Sequence, residues 1–240
     1  MQYTRGVALL MTLAVGLTTG AEAQLAAPRA PQQKTIRSFV GGGVVVTQPV
    51  GEFANNVGIG GGAVGTFWQN IDAGGIFSLR ADFAYLVYGH EHKQIPFPTA
   101  PRVQLDLDTY NSIVHGAVGP ELRATSGAVS GYINGQVGFV HLFTESSLSG
   151  TDNAESFAST PNYGFTHISW VGSYGVLFAL KTRAPVSIDV GAHYLYNGKA
   201  RYLTPGDIHE DNTTGNVTIT AHHSDANLIM YRIGVRVGVN

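Results

Sequence analysis

The chain contains no cysteine. That excludes a disulfide framework, a thiolate metal site, a cysteine nucleophile and a lipidated cysteine anchor. Charge is also scarce: Asp, Glu, Lys and Arg make up 12% of the 240 residues, with a net charge of −2. A nucleic-acid-binding surface needs a basic concentration that this balance does not supply. Long apolar runs are missing too. After the N-terminal segment, no stretch approaches the ~20 apolar residues that a transmembrane helix requires. Any crossing of a membrane would fall to strands, which must close on themselves so that lipid meets no unpaired backbone group.

What is abundant is glycine, with 31 copies, and tyrosine and phenylalanine, with 11 each. The N-terminus supplies an address. Arg5, the apolar stretch Val7 to Val15 and the small-residue site Ala21-Glu22-Ala23 are the parts of a cleaved secretory signal peptide. The expected organisation is a signal peptide over 1–23, a leader over 24–37 carrying Pro28 and Pro31, and one β domain over 38–240.

The clearest strand is the last. From Ile229 to Val239 every odd position is apolar, while Met230, Arg232, Gly234, Arg236 and Gly238 alternate with them. A period of two places the sets on opposite faces. The same pattern recurs in a third strand over about 75–88, with Phe77, Leu79, Phe83 and Tyr85 against Ser78, Arg80, Asp82 and Ala84. Further strands fit 38–47, 58–68, 107–123, 130–143, 165–180 and 186–196, making eight. The first two are too rich in glycine for their in/out phase to be read.

The connections alternate in length along the chain. Those at 69–74, 124–128 and 181–185 are short; those at 89–104, 144–164 and 197–226 are long. An up-and-down meander puts alternate connections at opposite ends, and short turns at one end with long loops at the other is the outer-membrane pattern. Aromatics fall into two groups. Phe67, Trp68, Phe77 and Phe178 lie near the short turns; Tyr85, Tyr88, Tyr110, Phe143, Phe165, Tyr194, Tyr196 and Tyr231 lie toward the long loops. Two girdles at two interfaces are expected of a membrane barrel. The fold class expected is all-β, an eight-stranded antiparallel up-and-down transmembrane β-barrel. The rival is a soluble exported lipocalin-like barrel, whose aliphatic faces would point inward to a ligand.

The segments Pro49-Val50-Gly51-Glu52-Phe53 and Gly131-Tyr132-Ile133-Asn134-Gly135-Gln136-Val137-Gly138-Phe139 are similar to stretches common in small outer-membrane barrels. With the signal peptide and the eight strands, nearly all the mature chain resembles the OmpA/OmpX-like group. Such barrels usually end in an aromatic residue, whereas this chain ends Val239-Asn240. The resemblance implies a location in the bacterial outer membrane of a Gram-negative cell. Implied partners are outer-membrane lipid and lipopolysaccharide, the barrel assembly machinery, and an extracellular partner met through the long loops.

Eight strands enclose a lumen that side chains can fill, so a general diffusion pore is not expected and a narrow channel is the alternative. The expected lumen carries Arg80, Asp82, Glu121, Arg123, Asp189, Arg232 and Arg236, with His115, Asn134, Gln136 and His193. Buried charges need partners; position along neighbouring strands predicts Arg80–Glu121 and Asp189–Arg236 contacts, in a lumen closed by polar side chains. Catalytic signals are thin. His167-x-Ser169 is similar to the His-x-Ser of outer-membrane lipid A deacylases. Yet Trp170 and Val171 follow instead of that family's Asn, and no Asp or Glu lies between Ser169 and Lys181 to complete a triad. His90-x-His92 and His222-His223 are metal-type residues on long loops. Neither constellation is complete, so no catalytic, cofactor-binding or metal residue, and no cofactor, is assigned. The role expected is structural or surface-interactive, with an esterase-type lipid-modifying enzyme as the alternative.

Overall fold

A computed structural model describes residues 38–97, 100–150, 156, 158–210 and 217–239. The segments read as signal peptide and leader, and the terminal Asn240, lie outside the described residues. The barrel strands are β1 (Ser38–Pro49), β2 (Gly60–Asn70), β3 (Phe77–Phe97), β4 (Ala100–Ser126), β5 (Val129–Gly150), β6 (Ala158–Ala179) and β7 (Val186–Tyr196), closed by a strand after four short ones. Those short strands, β8 (Lys199–Tyr202), β9 (Ile208–Glu210), β10 (Val217–Ile219) and β11 (His222–Asp225), form two ribbons within the last long connection. The closing strand is β12 (Leu228–Val239).

The eight long strands form one closed antiparallel ring in the order β1-β12-β7-β6-β5-β4-β3-β2. Closure is made where β12 pairs with β1, from Ser38↔Val239 to Pro49↔Leu228. Every barrel neighbour is a chain neighbour except at that seam, so the topology is the expected meander. Gly127, at φ 60°, turns the short β4–β5 hairpin in the left-handed region that a side chain would resist.

The side-chain alternation settles which way the barrel faces. On β3, Ser78, Arg80, Asp82 and Ala84 are at most 4% exposed, while Phe77, Leu79, Phe83 and Tyr85 are 38–57% exposed. On β12, Tyr231, Ile233 and Val235 point outward and Arg232 and Arg236 inward. Large apolar side chains therefore coat the outside and charged ones fill the inside. This polarity excludes the lipocalin-like rival, in which the aliphatic faces would line a cavity.

Three expectations are corrected. First, β3 to β6 run 21, 27, 22 and 22 residues, against 11 or 12 for β1, β2, β7 and β12. Much of what reads as long loop at 89–104 and 144–164 is strand. A crossing takes about 9–11 residues, so these four strands continue past the loop-side aromatics as a protruding sheet. Their polar residues resemble loop because the extension has no lipid to face. Second, Trp68, Tyr88 and Phe165 are not girdle residues. Trp68 and Tyr88 are buried in the interior, and Phe165 packs against the apolar core cluster. The β1–β2 register, with Gly41↔Thr66 and Phe39↔Trp68, supplies the phase that glycine-rich sequence could not. Third, the lumen is not closed by polar side chains alone. Polar residues fill the half near the short turns. Toward the loops Val45, Leu86, Ile113, Leu142, Leu195 and Leu228 form an apolar core.

Glycine inside the lumen makes room for its largest groups. A Cβ on Gly191 would lie 2.5 Å from the Tyr132 hydroxyl and 3.0 Å from the Tyr174 carbonyl oxygen. Tyr132 uses that space to donate to Asp189 Oδ1 at 2.8 Å. Gly191→Val should therefore displace the Tyr132 ring and destabilise the barrel by about 1–3 kcal/mol, the usual cost of overpacking. Equilibrium urea unfolding in lipid vesicles measures this; an unchanged midpoint would show that the ring relocates freely.

Candidate functional site

Two regions collect functional side chains: the charged half of the lumen and the rim above the loop-side girdle. In the lumen, adjacent strands bring carboxylates and guanidinium groups to one level through the inward alternation. Asp82 is the hub. It accepts from Thr66 Oγ1 at 2.6 Å, Arg80 Nε at 2.9 Å, Gln136 Nε2 at 3.0 Å and Arg232 Nη1 at 3.5 Å. Glu121 accepts from Arg80 Nη1 at 3.2 Å, Arg123 Nη2 at 2.5 Å and the Trp68 indole N–H at 3.1 Å. Arg80 further stacks between Trp68 and Tyr132, 5.3 and 5.2 Å from their ring centroids. The Ser173 hydroxyl donates to Asn134 beside this group.

The expected Arg80–Glu121 contact is present, whereas Asp189–Arg236 is not. Asp189 Oδ2 lies 2.8 Å from Arg232 Nη2, an ion-pair distance off the hydrogen-bonding direction. The reason is diagonal geometry. Register places Gly234 opposite Asp189, so Arg232 and Arg236 are each two residues away, and height along the strand does not choose between them. Arg236 instead lies over Phe39, 3.9 Å from the ring centroid. His115 and His193, paired with Ala84 and Met230, mark the boundary with the apolar half.

The loop-side mouth is closed by residues distant in sequence. The first connection forms a short 3-10 turn, Gly51–Asn55, whose Phe53 is fully buried. Its ring meets Tyr202 edge-on at 4.9 Å and tilts against Tyr88 at 5.9 Å. Tyr88 donates to the Leu203 carbonyl at 3.0 Å, and the Asn56 amide to the Tyr202 hydroxyl at 3.0 Å. The phrase around Phe53 is visible in the sequence; its partners Tyr88 and Tyr202 are too far along the chain to be found from pattern. The apolar core, the buried Phe53 at the loop-side mouth and the ion-paired base together fill much of the described lumen with side chains.

On the rim, β3 and β4 pair beyond the girdle so that His90, His92 and Gln94 share the outward face with Tyr110, Asp108 and Asp106. His90 Nε2 and His92 Nδ1 lie 3.0 and 2.9 Å from Asp108 Oδ1, and the His90 ring stacks on Tyr110 at 4.4 Å. His222 is held elsewhere, by Asp207 at 3.2 Å and by stacking on Tyr202. His222 and the His90/His92 pair thus engage different carboxylates. No group of three or more metal-type ligands converges among the described residues. His167 and Ser169 share a face, as residues at i and i+2 must. However, Ser169 donates to Asn197 Oδ1 at 2.7 Å, and His167 Nδ1 engages the Ile168 carbonyl at 2.8 Å. The serine's proton points to an amide oxygen, which is not a base.

A closed eight-stranded ring with an apolar exterior, a charged interior and short turns at one end is a small membrane-spanning β-barrel of the kind found in bacterial outer membranes. Among solved structures the chain is similar to Neisserial surface protein A, at 15% identity and a TM-score of 0.47, over 84% of this chain and 97% of that one. Ail, the attachment invasion locus protein of Yersinia pestis, matches at 15% identity and 0.44 with the same coverages. A major outer membrane protein from Thermus thermophilus matches at 10% and 0.39, over 84% of this chain and 99% of that one. No family model matches, and no curated protein matches.

These contacts carry two measurable consequences. Asp82→Ala leaves Arg80 and Arg232 without their shared carboxylate, and removing one partner of a buried ion pair costs about 3–5 kcal/mol. Urea unfolding in vesicles should register that loss; a change below about 1 kcal/mol would mean water replaces the carboxylate. The rim contact depends on pH. Its hydrogen bond to Asp108 raises the His92 pKa, and the bonds from His92 and His90 lower that of Asp108. A raised histidine pKa contributes below its unfolded value and is lost as pH rises through the folded value; the lowered carboxylate is lost as pH falls through its own. Between about pH 6 and 8, protection of the Lys93 and Leu107 amides, corrected for intrinsic exchange, should therefore fall in the wild type. It should be flat in His92→Gln; the same decline in both would remove the pair from the account.

Proposed function

We propose that the protein is a bacterial outer-membrane surface-interaction protein whose protruding β3–β6 sheet carries the contact with an extracellular partner. The observation behind this reading is the continuation of four of the eight strands well beyond the length that a bilayer needs. Extending ordered sheet into water costs conformational entropy on every residue and gains no lipid burial. The barrel half of the molecule is filled and serves as a base. The extension is braced: Gly206 of the last connection donates to Glu91 Oε2 at 3.0 Å, and Thr109 and Ser146 hydroxyls meet at 2.7 Å. On the outward face it offers His90, His92, Asp106 and Asp108, a polar surface suited to a hydrated partner. Among the described residues, the 88–97 part of β3 and the 158–169 part of β6 extend past their pairing with β2 and β7. Strand stretches that run past their sheet partners are where an added strand can pair.

The test replaces residues 91–107 and 147–159 with two-residue turns in cells displaying the full chain. Heat-modifiability on gels should be kept, since the described residues in these segments lie beyond the β2–β3 and β6–β7 pairings. Adherence of the displaying cells to host-cell monolayers, or to one another, should drop at least about tenfold. Undiminished adherence with a folded barrel would refute a role for the extension.

A further inference from the structure

At the short-turn mouth of the lumen lies a cavity of about 180 Å3, lined by Phe39, Asn70, Arg123, Ser130, Ser187 and Arg236 among others. Arg236 is 2% exposed, and its Nε and Nη2 are buried with no hydrogen-bond partner. Its plane rests on Phe39 and, at 4.9 Å, on Trp68. The lumenal charges do not balance around it. Among the described residues the charged half holds Arg80, Arg123, Arg232 and Arg236 against Asp82, Glu121 and Asp189. All three carboxylates are engaged by other cations: Asp82 by Arg80 and Arg232, Glu121 by Arg80 and Arg123, Asp189 by Arg232. Arg236 is the cation left over. A buried guanidinium needs a counter-charge, and stacking on two rings offsets only part of its desolvation.

The remaining lining supplies donors. Arg123, whose Nε is also buried without a partner, lines the same cavity. Ser187 stands opposite Arg236 in the strand register, and the hydroxyl of Ser130 meets that of Thr125 at 2.9 Å on the far wall. Two guanidinium groups and nearby hydroxyls around a space larger than a tetrahedral anion are the elements of oxyanion recognition. We propose that the short-turn mouth of the lumen is an oxyanion-binding site, with Arg236 as its charge anchor and Arg123 as its second donor. The ligand is a phosphate group, supplied either as a soluble anion or by the headgroup of a phospholipid in the leaflet around this mouth. The site lies at the opposite end of the barrel from the proposed interaction sheet and is independent of it.

The full-length chain is refolded in digalactosyldiacylglycerol vesicles, whose lipid carries no phosphate, and unfolded with urea, with and without inorganic phosphate at matched ionic strength. A parallel arm uses phosphatidylglycerol vesicles without inorganic phosphate. Arg236→Met and Arg123→Gln are carried through both. Phosphate should raise the midpoint of the wild type, leave Arg236→Met unmoved and shift Arg123→Gln by less. A wild-type-specific shift confined to the phosphatidylglycerol arm assigns the headgroup as source. Without any phosphate group present, Arg236→Met should be at least as stable as the wild type, because it deletes an unbalanced charge. Equal shifts in wild type and Arg236→Met, or no shift in either arm, overturn the proposal. If Arg236→Met does not fold, the linewidth of the 31P signal of phosphate titrated with wild-type protein reads occupancy directly. Broadening that excess sulfate reverses supports the site, and its absence overturns it.

Discussion

In a bilayer core no water is available to a backbone N–H or C=O, so a sheet there must have no edge. Ring closure between β1 and β12 is the constraint from which the rest of this molecule follows. It joins the first described strand to the last, so the barrel is complete only when the full ring is in register. It also fixes which side chains enter the lumen. Once the seam pairs Gly41 with Arg236 and Gly43 with Gly234, the inward Gly41 leaves room for the Trp68 ring, which a Cβ there would meet at 2.9 Å. A one-residue slip would turn every inward charge toward lipid, and the ion-paired layer around Asp82 opposes such a slip.

The lumen divides its work by depth. Near the short turns, every desolvated charge among the described residues but Arg236 is paired, within a strand or across the lumen, which specifies register more than it adds stability. Toward the loops the interior is largely apolar, and Phe53 is buried at the mouth. From the filled barrel, β3 to β6 run on above the membrane as paired sheet. The outward histidine–aspartate contacts and the bracing by Glu91 then belong to a sheet that stands in water.

Much of this was readable from the sequence where large apolar and polar residues alternate. The alternation on β3, β7 and β12 placed strand and face together, and Val186 to Tyr196 matched the structure end to end. The alternation in connection length gave the meander. Legibility failed where side chains carry no contrast. Glycines in β1 and β2 hid the phase, which left Trp68 on the wrong side. The extensions of β3 to β6 are polar on both faces over much of their length and so look like loop. The lumenal residues were found correctly from their inward parity, and Arg80–Glu121 with them. Asp189 was assigned to Arg236 instead of Arg232 because two diagonals of equal length cannot be ranked without the stacking partners Phe39 and Trp68. The apolar stopper was invisible because Phe53, Tyr88 and Tyr202 meet only in the closed ring.

The absence of native cysteine makes the central claim, an apolar exterior in contact with lipid, directly measurable. Single cysteines at Leu79, Phe83 and Ile233 on the outer face, and at Lys93 and Arg183 beyond the membrane, would be labelled with an environment-sensitive fluorophore. The protein would then be reconstituted with lipids brominated along the acyl chain. The account predicts strong quenching at the first three positions and little at the last two. Equal, weak quenching at all five would contradict a barrel that faces lipid.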